Sequence, residues 1–180
     1  MLYFMKPLQE IKTDISDWKP FIKNHWFRKN FVFFAYGLQV LLLIFSIAFG
    51  VWNFSNAFFK AGLFICTYII HELLHVIVVY NAGDISITHS GLFLWITSGA
   101  VLGKLRFFIF MSLPVISLTF LPAILHIFLS GEGKSIAAYI AWVNAIIAGA
   151  DIINSILIAV KPNNAQFYRG YYKTASSLPD

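Results

Sequence analysis

Four stretches of this chain, residues 31–52, 57–80, 106–129 and 135–160, are apolar and long enough to cross a bilayer, which takes about 20 helical residues. That pattern leaves little choice of architecture. In hydrocarbon every backbone polar group must find an internal partner, so only helices and closed barrels survive there. Runs of this length are helices rather than barrel strands, which need only about 9–11 residues. Composition agrees: 59% of the chain is hydrophobic, 12% is charged, and the mean hydropathy is +0.75. Soluble domains are nearer half apolar and a quarter charged. The 180 residues therefore read as a single all-α polytopic membrane protein with about four transmembrane helices. The links 53–56 and 130–134 are short, so neighbouring helices should run antiparallel.

Charge sets the orientation. Lys6, Lys12, Lys19, Lys23, Arg28 and Lys29 precede the first long run, Lys161, Arg169 and Lys173 follow the last, and Lys104 and Arg106 lie in the middle loop. This places both termini on the cytoplasmic side, with only Lys60 and Lys134 opposing the bias. The net charge of +5 is thus a topology signal, and nucleic acid is a poor fit as a partner. The first residues turn polar too early for a cleaved secretory signal, so the first span is expected to serve as an uncleaved insertion signal. The lone Cys66 excludes a disulfide within the chain and is expected to be a small buried hydrophobe.

Two segments outside the spans carry patterns of their own. Ile11, Ile15, Trp18, Phe21 and Ile22 recur at helical spacing among lysines, predicting an amphipathic segment in the membrane interface that Pro20 interrupts. Between the second and third spans, Ile85 and Ile87 alternate with Ser86, Thr88 and Ser90, the period of a half-buried strand. An apolar run too short to span follows. Together they predict a short β-hairpin or re-entrant element at the cytoplasmic face, tolerated at membrane depth only if buried in protein or lining a wet cavity. Pro114 and Pro122 predict kinks in the third span.

The second span contains His71, Glu72 and His75. Histidines four apart on a helix face the same way, about one turn apart, and can grip one metal ion from one side. Glu72 is offset by about 100° and can lie beside that ion as a general base. This is the H-E-x-x-H arrangement of zinc peptidases. With five histidines and three glutamates in the chain, chance supplies roughly 0.002 such matches. Each ionisable residue in a span costs about 2.5–3.5 kcal/mol on insertion scales and usually marks function.

Catalytic zinc needs a third protein ligand and one open position. Depth selects Asp151. It lies about nine residues before the end of the fourth span, and His71 lies about nine before the end of the second, so both are ~13 Å in from the cytoplasmic end. His126 and Glu132 fall near the opposite side, Glu10 and Asp14 in the N-terminal segment. Asp84 and His89 are on the correct side, and His89 is the alternative ligand if its loop folds back. Asn144, two turns before Asp151 on the same face, is a candidate to bond either a substrate backbone or a neighbouring helix. Asn154 and Ser155 are candidates to orient Asp151, and Gly149 allows close helix approach.

These residues resemble the integral-membrane zinc metalloproteases of the site-2 protease type. The closest likeness is to a small bacterial family of unknown function described as zincin peptidases. The resemblance spans residues 57–158 and implies that His71, His75 and Asp151 bind Zn²⁺ while Glu72 activates water. It also implies that the strand-like segment is a membrane-associated hairpin beside the active site. The chain departs from the site-2 pattern around the aspartate, which lies in Ala150-Asp151-Ile152 rather than an L-D-G context, with Ile147 near the expected proline. No PDZ-like domain is expected within these 180 residues, and Val78 and Asn81 replace the later Gly and His of the longer metzincin motif.

The expected organisation is an interfacial segment over residues 1–30, a membrane metalloprotease-like domain over 31–160 and a cytoplasmic tail over 161–180. The expected function is zinc-dependent hydrolysis of peptide bonds in or near the inner leaflet, with a membrane protein or peptide as substrate. Glu72 would take a proton from the zinc-activated water and return it to the leaving amine. Ile85 and Ile87 lie on a strand that an unwound substrate can join by edge pairing. The rival reading is a non-proteolytic membrane protein using the same cluster for metal or proton transport or sensing.

Overall fold

The computed structural model describes residues 2–4, 14–90 and 93–174. Its centre is a set of apolar helices: α1 (His25–Lys29), α2 (Phe31–Ala48), α3 (Ala57–Val79), α4 (Lys104–Val115), α5 (Leu121–Phe128), α6 (Gly131–Ile147) and α7 (Gly149–Ala159). A π-helical turn, Ile116–Phe120, joins α4 to α5 so that Lys104–Phe128 runs as one long helix. Helices α2, α3 and this composite are each long and apolar enough to cross a membrane, and a fourth span results if α6 and α7, bent by 67°, count as one. Phe58, Ile127 and Val160 are among many large apolar side chains left exposed. A water-soluble monomer rarely leaves so much apolar surface uncovered.

Two small sheets lie at one end of these helices. In the first, β1 (Leu2–Phe4) pairs in parallel with β3 (Ile85–Ser90), which pairs antiparallel with β4 (Phe93–Ser98). The second has the order β2-β7-β6-β5, built from Lys19–Pro20, Tyr171–Thr174, Ala165–Tyr168 and Leu102–Gly103. The protein is therefore mostly helical with a β component larger than the one hairpin the sequence suggests.

The second sheet draws on segments from both ends of the chain. Residues 15–22 form turns and a short strand, although their apolar residues recur at helical spacing. Pro20 sits opposite Tyr171 in a strand pair, and Trp18 and Phe21 are buried rather than turned to an interface. Phe21 packs edge-on against Phe107 and Phe167, and Trp18 lies against Tyr168. Ile11 lies outside the described residues. The expected tail folds back as the hairpin β6–β7, whose Ala165, Phe167 and Tyr172 share a core with Phe21 and Ile158. Lys161 ties the sheet to α7: its Nζ donates to Phe21 O at 2.8 Å and sits 4.1 Å over the Tyr172 ring. Partial burial holds that ammonium below the ordinary lysine pKa. Cys66 is exposed on α3, not buried.

Lysines and arginines close the helix ends nearest the sheets. Lys104 Nζ donates to Ala159 O and Lys161 O at the C-terminus of α7, and Arg106 donates twice to Val78 O at the end of α3. Both satisfy carbonyls that the last turn leaves free. At the opposite end, Tyr139 Oη donates to Lys60 O and Lys60 Nζ donates to Trp52 O.

Candidate metal centre

The helix α3 buries His71 and His75 on one face, as their spacing requires. The bend between α6 and α7 brings Asp151 to them. Gly149 permits that bend to seat against α2: a Cβ there would lie 2.7 Å from Gln39 Cγ and 3.3 Å from Ala35 O. His71 Nε2 is 3.1 Å from Asp151 Oδ2, His75 Nε2 is 3.2 Å from the same oxygen, and the two Nε2 atoms are 3.2 Å apart. Donors about 2.05 Å from a tetrahedral zinc lie roughly 3.3 Å from one another. The triangle has the dimensions of three corners of such a site.

The outward ring nitrogens show which atoms face inward as acceptors. Asn144 Nδ2 donates to Pro114 O at 3.0 Å and Thr119 Oγ1 at 2.9 Å. Its Oδ1 is therefore the acceptor 2.9 Å from His71 Nδ1, which must carry the proton. His75 Nδ1 donates to Phe110 O at 2.6 Å. With both Nδ1 atoms protonated in neutral rings, both Nε2 atoms present lone pairs to the carboxylate oxygen. Three lone pairs converging at this distance repel unless a cation lies among them. The donor set, two imidazoles and one carboxylate, suits zinc.

Phe110 can accept from His75 because of Pro114. Proline has no N–H for the carbonyl four residues earlier, and that carbonyl belongs to Phe110. The π turn Ile116–Phe120 follows, and the carbonyl of Pro114 turns to Asn144. π turns of this kind recur at functional sites. Each histidine is thus oriented by a group that an irregularity in the third span releases.

Glu72 is half-buried and stands outside the ligand triangle. It lines a cavity of about 250 Å³ that also reaches Tyr36 and Gln39 of α2, Tyr68 of α3 and Asn154 of α7. The other expected residues divide. Asn144 is fully buried and commits its amide to His71, Pro114 and Thr119, so it bonds neighbouring helices. Asn154 turns to Met111 Sδ at 4.0 Å, and Ser155 Oγ has no hydrogen-bond partner among the described residues; neither orients Asp151. Ile85 and Ile87 cannot receive a substrate strand, since β1 occupies one edge of β3 at these residues and β4 the other. Ser86 is as buried as Ile85, so the alternation does not separate a wet face from a dry one.

His126 bonds Lys134 O near the opposite helix ends, and neither Asp84 nor Glu132 joins the cluster. The side chain of His89 and all of Glu10 lie outside the described residues. Phe110, Pro114, Thr119 and Gln39 were not singled out by the motif. For Pro114 the signal was present, since a proline within a span always leaves one carbonyl to be satisfied elsewhere.

Residues 64–166, more than half of the chain, match the family described as "Putative zincin peptidase". No curated protein and no solved structure matches it. The matched region runs from the middle of α3 into β6 and contains His71, Glu72, His75, Phe110, Pro114, Asn144 and Asp151.

Proposed function

The chain belongs to the putative zincin peptidase family, and on that premise we propose that it is a multi-pass, zinc-dependent peptidase of the site-2 protease type. It would hydrolyse peptide bonds of a membrane protein or peptide in or near the inner leaflet. The observation that carries this reading is the convergence of His71 Nε2, His75 Nε2 and Asp151 Oδ2 with both Nδ1 protons already committed. A zinc ion held by these three residues would supply Lewis acidity and lower the pKa of a bound water. Glu72 faces the adjoining cavity, receives the proton of the attacking water and returns it to the leaving amine. Asn144 and Phe110 fix the ring tautomers so that both Nε2 atoms remain available.

The spans, the basic residues at the sheet end and the bent fourth segment support a membrane location with both termini cytoplasmic. His71 is ~12 Å from the α3 end nearest the sheets, at 1.5 Å per residue, so water must reach it through a cavity from that side. A helical peptide hides its carbonyls, so the substrate must arrive unwound. The outer edge of β4 has no strand partner among the described residues, and it replaces β3 as the strand an extended substrate can join.

Metal content and hydrolysis test the proposal together. Detergent-purified wild type and Glu72→Gln should each hold about one zinc by elemental mass spectrometry, and His71→Ala and Asp151→Ala should hold none. A peptide pool read by mass spectrometry should be cut by wild type alone. Folded wild-type protein without zinc, or cleavage that survives Glu72→Gln, would refute it.

A further inference from the structure

Gln39 is the one amide side chain in α2, a helix that is otherwise mostly apolar. It stands as far from Phe31, where α2 begins, as His71 stands from Val79, where α3 ends. At 1.5 Å per residue both lie ~12 Å from the helix ends nearest the sheets. The two are level, and both line the cavity that also holds Glu72 and Asp151. Helix α2 packs on α6 and α7, and the cavity lies between it and α3. Val32 and Tyr36 line the cavity and are also exposed, so it opens along α2.

A side-chain amide has two N–H donors and an oxygen with two lone pairs. Among the described residues Gln39 uses only one of these groups. Its Nε2 donates to Ile147 O at 3.4 Å, longer than the roughly 2.7–3.2 Å of ordinary N–H···O bonds. Bonding between helices is the usual task of a polar residue in a span, and here it accounts for one long bond. The second N–H and the oxygen remain unused, which is costly away from water. The stem is fixed: a Cβ on Gly149 would stand 2.7 Å from Gln39 Cγ, so the residue is seated against the bend that carries Asp151. The other amide beside the cavity, Asn154, lies only ~8 Å from the end of α7, nearer the sheets, and turns to Met111 Sδ.

We propose that Gln39 binds the backbone of the substrate beside the scissile bond, across the cavity from Glu72. In an extended chain the N–H and C=O of one residue point the same way. Gln39 Oε1 accepts that N–H, and the unused N–H of Nε2 donates to that C=O. An unwound peptide brings both groups to the cavity unsatisfied, and one side-chain amide satisfies both without regard to the substrate's side chains. The inference rests on the peptidase reading and adds a substrate-binding residue to the same site.

Binding of uncleavable probes tests it. The probes are acetohydroxamic acid, which reaches only the metal, the hydroxamate of acetyl-Val-Leu-Ala, and versions of that peptide N-methylated at one backbone amide each. They are titrated calorimetrically against zinc-loaded wild type, Gln39→Met and Asn154→Leu in phosphatidylcholine nanodiscs. On wild type, one of the N-methylations should weaken binding ~10-fold, a step of about 1.4 kcal/mol. On Gln39→Met the parent peptide should bind about that much more weakly, and the same N-methylation should cost nothing further. Acetohydroxamic acid should bind both proteins alike. Absence of any N-methylation penalty on wild type overturns the proposal without recourse to a variant. A penalty that survives Gln39→Met, or one that disappears instead in Asn154→Leu, also overturns it. So does an equal loss of acetohydroxamic acid binding in Gln39→Met, which would make Gln39 a packing support of the metal centre. Failure of acetohydroxamic acid to bind wild type refutes the peptidase reading and this inference with it, whereas its binding without a Gln39-dependent penalty refutes this inference alone.

Discussion

Replacing Pro114 with alanine separates the stability of the third span from the quality of the metal site, because the two should move in opposite directions. Alanine restores an N–H that can bond Phe110 O, four residues earlier, in the ordinary helical way. That N–H competes with His75 Nδ1 for the carbonyl it now reaches at 2.6 Å. Loss of a group that orients a metal-binding histidine typically lowers metal affinity by about 10–100-fold, or about 1.4–2.7 kcal/mol at 1.36 kcal/mol per decade. Removing proline from a helix interior gains up to about 3 kcal/mol. The metal-free variant should therefore be more stable than metal-free wild type while binding zinc more weakly.

Competition with a chromophoric chelator measures the first quantity, and denaturant titration of the detergent-solubilised apoprotein measures the second. Pro122 is the control. It lies in the same composite helix and is also buried, but the carbonyl four residues before it belongs to Leu118, which is not among the groups that hold the two histidines or Asn144. Pro122→Ala should leave zinc affinity unchanged. If Pro114→Ala bound zinc as tightly as wild type, Pro114 would be only a kink, and the account of how His75 is oriented would be wrong.

Asn144 separates acceptor from donor: Asn144→Leu should lose about 10–100-fold in zinc affinity. Asn144→Asp keeps an oxygen on His71 and should hold zinc, but it gives up both donated bonds and should lower stability by about 1–3 kcal/mol in the same titration. Gly149→Ala should destabilise by about 1–3 kcal/mol through its clash with Gln39 Cγ and Ala35 O. Gln39→Ala in that background should recover part of the loss, read from the same unfolding curves. Zinc at a thousand times its Kd should add about 4.1 kcal/mol to stability, so chelation should lower the Tm of wild type and Glu72→Gln alike and leave Asp151→Ala unmoved.

What was legible in the sequence was what a local pattern encodes. Long apolar runs gave the helices because hydrophobicity accumulates along contiguous residues, and the i, i+4 histidines carried their own geometry. The depth comparison put Asp151 level with His71, and the two side chains meet at 3.1 Å. The sheets were not legible in the same way. Lys19 pairs with Tyr172 and Leu102 with Phe167, partners far apart in the chain and too short as strands to show a period. The helical spacing of Trp18 and Phe21 was real but came from a loop wrapping a sheet, which can bury the same residues. The supports of the metal centre were hidden for a different reason. Phe110 acts through its carbonyl, which every residue possesses, so its side-chain identity says nothing about that role.

The irregular third span and the metal centre also satisfy each other, and this can be measured. A span broken by proline has a carbonyl that lipid cannot solvate, and here His75 supplies the missing donor. His75→Ala should therefore cost apoprotein stability by about 1–3 kcal/mol through the orphaned Phe110 carbonyl, beyond any loss of zinc. Asp151→Asn, which removes a ligand charge but no donor to the backbone, should not show that cost. In the Pro114→Ala background the carbonyl has a helical partner, so His75→Ala should become cheaper by about 1 kcal/mol, a non-additivity expected of groups sharing one acceptor. Additive effects in this cycle, measured on metal-free protein, would mean that the proline and the histidine act independently. The site would then owe its geometry to helix packing alone.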